Sequence, residues 1–251
     1  LSGAECFSSM RKASKSGIKT GWGEDAGGKR IDLGYEKPGG TLSEIRHGIT
    51  FPINVYPLFE NAIRGYKNHS IDKHLKYLGN MFEPFTKVAS ENKNAWFPTY
   101  RSAEEISTPN KKNRFIGFPY TKYMNAIMEV DQSASLIIMS EKKANEYSVP
   151  KSKRIYLHGC ADINEVWNIT ERPELFRSSA IRLMGEKAFS MANWNIDEID
   201  YFDLYSCFPS MVELGREALD ISSNISSPLT VTGGLPFCLL YTSDAADEDL
   251  R

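Results

Sequence analysis

Apolar positions recur at helical spacing through the first half of the chain. They then switch to short apolar runs that alternate with helical stretches. Val55, Leu58, Phe59, Ala62, Ile63 and Tyr66 share one continuous helical face, the ordinary signature of a helix packed on its own domain. On that reading Leu58 is core, and an Asp there would unfold the segment. A second helix carries Ile71, Leu75, Leu78 and Phe82 and opens at Ser70, whose hydroxyl can cap it. Pro84 need not end it, whereas Asn92, Asn94 and Pro98 do. The basic STPNKKN stretch at 107–113 reads as a return loop.

From Arg114 onward strand and helix alternate. The runs 135–139, 154–158 and 199–205 read as strands. Ser140 caps a predicted helix over 141–147 that Val149-Pro150 stops, and Ser178 or Ser179 precedes one with Ile181, Met184, Ala188 and Met191 on one face. Val212, Gly215 and Leu219 mark the inner face of the last helix. Near the start, residues 2–19 read as a strand end followed by a helix or turn, and the Gly-rich 21–40 stretch as loop. This order predicts a mixed or parallel α/β sheet.

With 251 residues and 41% hydrophobic content, the chain can form one large or two ordinary domains. A formal charge of -2 and a pI near 6.2 argue against nucleic-acid and membrane-surface partners. No apolar run reaches the roughly 18 residues that cross a bilayer. Cys6, Cys160, Cys207 and Cys238 lack C-x-x-C spacing, which fits reduced thiols in a cytoplasmic protein. His47, His69, His74 and His158 form no H-x-x-E-H or similar metal pattern, so no metal is expected. LSGAECFSSM has neither the basic nor the apolar part of a signal peptide.

After Phe237 the texture changes. Residues 238–247 back-translate as TGTCTCTTATACACATCTGACGCTGCCGAC, which looks like a sequencing-library transposon adapter read in frame. The alternative is a genuine polar tail. The expectation is that 238–251 are non-native and that the parent protein extends past both ends.

The chemistry concentrates in YFDLYSCFPSMVE at 201–213 and LTVTGGLPF at 229–237. A strand delivers Tyr205, Ser206 and Cys207 to a Phe208-Pro209 turn before a helix that opens at Ser210. Side chains at the C-terminal end of a strand are where open α/β sheets place their chemistry. Tyr205-Ser206-Cys207-Phe208 resembles the Asn-Glu-Ala-Phe or His-Asp-Cys-Phe signature of the thiolase superfamily, in its thiolase-like, sterol-carrier-type acetyl-CoA acetyltransferase branch. SGAE at 2–5 resembles the strand end before that family's loop domain. NAIMEVDQSAS at 125–135 aligns without gaps on its N-A-S-G-I-N-D-G-A-A-A block, and TGGLPF at 232–237 resembles the approach to its histidine loop.

The resemblance implies an α/β, thiolase-like layered αβαβα fold with a helix-rich loop-domain insertion. Residues 1–151 would be a partial N-terminal half carrying the insertion at about 17–113, and 152–237 a partial C-terminal half. It implies an acyltransferase of lipid metabolism acting on acyl-CoA thioesters. Coenzyme A would then be substrate, no cofactor would be bound covalently, and the parent would be a monomer or homo-oligomer. A catalytically degenerate acyl-CoA-binding or scaffold protein is the competing reading.

Departures from the family pattern are specific. Ile127 stands where the family's serine holds the pantetheine amide. Tyr205 replaces the Asn or His that orients an oxyanion-hole water, and a phenol can donate one such hydrogen bond. A packed aromatic is the equal alternative for Tyr205. The nucleophilic Cys and the base His fall outside this chain. Cys207 matches a small residue behind the active-site wall and reads as packing. Lys15, Lys19 and Arg114 flank the insertion and are candidates for the phosphates of coenzyme A, against the commoner role of a solvated face. His158, Cys160 and Asp162 make a sequence cluster that adjacency alone does not turn into a triad.

Overall fold

The computed structural model describes residues 2–21, 27–28, 38–223 and 227–237. The predicted 238–251 tail and most of the 21–40 loop lie outside them. β1 (Ser2–Cys6) leads into α1 (Phe7–Lys15), followed by α2 (Leu42–Arg46), α3 (Pro52–Tyr66), α4 (Ile71–Glu91) and α5 (Ala103–Ser107). β2 (Phe115–Gly117) and β3 (Tyr120–Thr121) form a short hairpin. β4 (Asp131–Ser135), α6 (Glu141–Glu146), α7 (Ser179–Ala192) and α8 (Pro209–Ala218) complete the order.

Capping fixes most of the helix starts. Ser70, Ser140 and Ser178 accept hydrogen bonds from Lys73, Lys143 and Ile181 N–H, the roles their positions predicted. Pro84 sits inside α4, which runs on to Asn92. α1 has no side-chain cap of its own. Asp131 supplies one from β4, accepting from Ser9 N–H at 2.9 Å and from Ser9 Oγ at 2.7 Å. β1 and β4 pair antiparallel, Ser2 with Ser135 and Cys6 with Asp131, so the first helix is locked to the strand that pairs with its own leader.

Three predicted strands are not strands. Residues 136–139, 154–158 and 199–205 adopt no ladder, and among the described residues the sheets are two-stranded pairs, β1 with β4 and β2 with β3. The strand predicted over 135–139 ends at Ser135, and Ile137 beyond it is 83% exposed. Ile155 is 99% exposed. A buried β-run needs neighbours on either side, and among the described residues no strand pairs with these segments.

The stripe on α3 is also displaced from the predicted one. Phe59, Glu60 and Ile63 are buried, while Leu58 and Tyr66 are exposed. Leu58 is not core. Spacing alone defines an apolar arc, and neighbouring elements decide which side of it is covered.

The main core lies between α4 and the 202–212 segment. Leu78, Phe82, Phe85 and Ala89 of α4 pack with Tyr120, Met124, Phe202, Phe208, Val212, Leu235 and Phe237. Burying each large side chain contributes about 1.5–3 kcal/mol. The region predicted as an insertion is thus a wall of the core and sets where the 205–208 turn sits. α4 meets α5 at Gly79, where a Cβ would lie 2.3 Å from the Ala103 carbonyl oxygen. A second cluster joins Phe59 and Ile63 of α3 to Leu214 of α8.

Candidate functional site

Three of the sequence motifs meet at one place. Residues 201–206 lie beside 229–230, with Leu204 N–H donating to Leu229 O at 3.0 Å and Asp203 Oδ1 accepting from Thr230 Oγ1 at 3.1 Å. The fully buried Ser206 Oγ accepts from Leu235 N–H at 3.0 Å, tying the 205–208 turn to TGGLPF. Gly234 makes that approach feasible. Its φ is 73°, and a Cβ there would meet Ser206 Oγ at 2.7 Å and Phe85 at 2.5 Å. On the other side Ala126 N–H donates to Cys207 O at 3.2 Å, joining the 125–135 block. α4's C-terminal Asn92 holds Thr232 O at 2.9 Å, and Phe97 N–H holds Phe237 O at 3.0 Å. In the sequence Ser206 stood out only as a member of the Tyr205-Ser206-Cys207-Phe208 signature. Its role emerges only once 206 and 235 are neighbours.

Tyr205 is 44% exposed, and its phenol and that of Tyr56 on α3 face the Cys207 thiol. The Tyr56 ring stacks on Phe208 at 4.5 Å. Burial nevertheless pushes the Cys207 thiol up to about 11, the two phenols only partly opposing it. A buried, protonated thiol is no nucleophile at neutral pH. Burial likewise pushes the Tyr56 phenol well above its ordinary range.

Beside this junction lies a cavity of about 630 Å³. Its floor includes Asn125, Ile127 and Phe237, and its rim carries Arg101, Lys111, Lys112 and Lys122. Asn125 is held by Nδ2 donating to Thr121 O at 2.6 Å, while its Oδ1 is buried without a hydrogen-bond partner. The lining therefore offers apolar surface, the Asn125 acceptor, four cations and one carboxylate, Glu129. Of the predicted phosphate contacts, Lys15 ends α1, Lys19 lies just beyond it, and Arg114 Nη1 donates to Phe115 O. None of the three lines this cavity, and Tyr205 does not either. The rim uses Lys111 and Lys112, adjacent in sequence to Arg114.

The 158–162 cluster is not assembled for catalysis. His158 stacks on Trp194 at 4.6 Å, and Cys160 is exposed.

No protein-family model matches the chain, and no curated protein does. Among solved structures, it is similar to the crystal structure of a monomeric SCP2-thiolase-like protein type 1 from Mycobacterium smegmatis. The two share 35% identity over 80% of this chain and 44% of that one, with a TM-score of 0.74. The fold is thiolase-like. The Ltp2-ChsH2(DUF35) aldolase is similar in fold alone, at 15% identity and a TM-score of 0.58 over 85% of this chain and 57% of that one. The chain thus spans less than two thirds of the length of either neighbour. Within the thiolase-like fold, the junction of the 125–135 block, the 205–208 turn and the 232–237 loop is the best-assembled site.

Proposed function

We propose that the full-length protein belongs to the thiolase superfamily and works as an acyltransferase on acyl-CoA thioesters. The single observation carrying this reading is the cavity beside the motif junction, lined by apolar side chains together with four cations. A pantetheine arm needs a narrow apolar channel with an amide partner, and coenzyme A's phosphates need cations at its mouth. Ile127 cannot hold the pantetheine amide. Asn125 Oδ1, two residues earlier and unpartnered, can accept that N–H instead. Lys15, Lys19 and Arg114 remain candidates for a longer-range electrostatic contribution.

In an active parent, a Cys outside this chain would take the acyl group, with a His as its base. Tyr205 would donate to the thioester oxyanion. A second reading, a catalytically degenerate acyl-CoA-binding or scaffold protein, is favoured by Ile127 and Tyr205, both of which depart from the family pattern. The same proposal covers a monomer or a homo-oligomer working in the cytoplasm.

Calorimetric titration with coenzyme A tests binding. Lys111→Ala/Lys112→Ala is expected to weaken it about tenfold, or ~1.4 kcal/mol, with a smaller salt dependence than the parent protein. Asn125→Ala should cost a similar factor. Unchanged affinity in both variants would refute the assignment of the cavity. Turnover of acetyl-CoA by the full-length protein, falling on the order of 10²-fold in Tyr205→Phe, would separate the enzyme from the binder.

A further inference from the structure

Glu60 of α3, His74 of α4 and Glu213 of α8 meet in the interior, each less than 5% exposed. Their donor atoms lie within 4.8 Å of one another, and His74 Nε2 is 2.6 Å from Glu60 Oε1. Glu60 Oε2 and Glu213 Oε1 are buried without a hydrogen-bond partner. Two such orphaned carboxylate oxygens beside one imidazole are costly in any dry interior. We propose that Glu60, His74 and Glu213 form a binding site for a divalent transition-metal ion of the zinc class, which ties α3, α4 and α8 together.

The donor chemistry selects the class. One imidazole and two carboxylates suit zinc and its first-row neighbours, and the absence of thiolate from the trio disfavours soft ions. Bonds of about 2.0–2.2 Å set tetrahedral donors roughly 3.4 Å apart, so the trio needs only a modest contraction. A fourth position stays open for water. His74 presents Nε2 to the centre while Nδ1 faces His69 Nδ1 at 3.3 Å, the outer partner that orients a metal-bound imidazole. Tyr77 stacks on His74, and the fully buried Tyr120, whose hydroxyl donates to Ser210 Oγ, closes the pocket beside Glu60. Lys67 Nζ lies 3.5 Å from Glu213 Oε2 and is partly exposed, so its ammonium occupies the approach and swings to solvent when an ion enters. Metal binding releases the protons that otherwise neutralise the buried carboxyls. The ligands come from positions 60, 74 and 213 on three helices, which is why no contiguous motif announces them.

The chain, stripped with chelator and dialysed, is titrated with Zn2+ alone, followed by calorimetry and thermal denaturation. One equivalent should bind and raise Tm. His74→Ala and Glu213→Gln should abolish that response, His69→Ala should weaken affinity about tenfold or more, and the surface variant His47→Ala should change nothing. Should the buried variants fail to fold, Co2+ loaded into the parent chain gives the decision. A visible ligand-field band of a four- or five-coordinate N/O site, without thiolate charge transfer, supports the site. No stoichiometric binding, a thiolate band, or full binding by the folded variants would overturn it and leave the trio as carboxyls sharing a proton with His74.

Discussion

Glu44 is a buried carboxylate satisfied by neighbours distant in sequence. Oε1 accepts from Thr170 N–H and Oγ1, each at 2.9 Å, and Oε2 accepts from Thr41 N–H at 2.6 Å. The Thr170 backbone bond, then the Thr41 one, hold its carboxyl down from 4.5 to about 2. The unfolded chain binds the proton more tightly, so the contribution of Glu44 is present above pH 4.5 and is lost as pH falls through about 2. Urea titrations of the parent chain and Glu44→Gln should differ at pH 7 and converge in that acid window. A constant difference would mean that Glu44 acts only through packing. Half of this arrangement is local, the Thr41–Glu44 capping box, though the sequence reading did not single it out. Thr170 lies 126 residues away. Ser206 with Leu235 is hidden for the same reason, and so is the Asn125 acceptor.

Among the elements, most of the long helices were legible, and of the strands only β1 at the start of the chain was. A helix satisfies its own backbone and announces its start with one side chain, as Ser70, Ser140 and Ser178 do. A strand satisfies nothing alone, so the apolar runs 136–139 and 154–158 read as strands yet join no ladder here. The α3 face was half legible. The period was right, but Glu60 inside and Leu58 outside follow from α4 and α8. Two substitutions check that correction. Ile63→Asp buries a charge against Leu214 and should cost more than about 3 kcal/mol, whereas Leu58→Asp at the exposed edge should stay within about 0.5 kcal/mol. Comparable destabilisation by both in urea would restore Leu58 to the core.

At the scale of the molecule, the order of motifs was the most informative reading. SGAE, the 125–135 block, the 205–208 turn and the 232–237 loop lie in thiolase order, and the thiolase-like fold brings the last three together. What the order could not give is which cations surround the cavity. Folding selects Arg101, Lys111, Lys112 and Lys122 rather than Lys15, Lys19 and Arg114. No helix among the described residues is long and apolar enough to cross a membrane.

The central claim is that the cavity at the motif junction receives coenzyme A, and a crystal structure of the chain with coenzyme A bound tests it most directly. The account predicts the pantetheine between Ile127 and Phe237, one of its amide N–H groups on Asn125 Oδ1, and the phosphates among Lys111, Lys112 and Lys122. Coenzyme A bound elsewhere, or an empty cavity at saturating ligand, would contradict it.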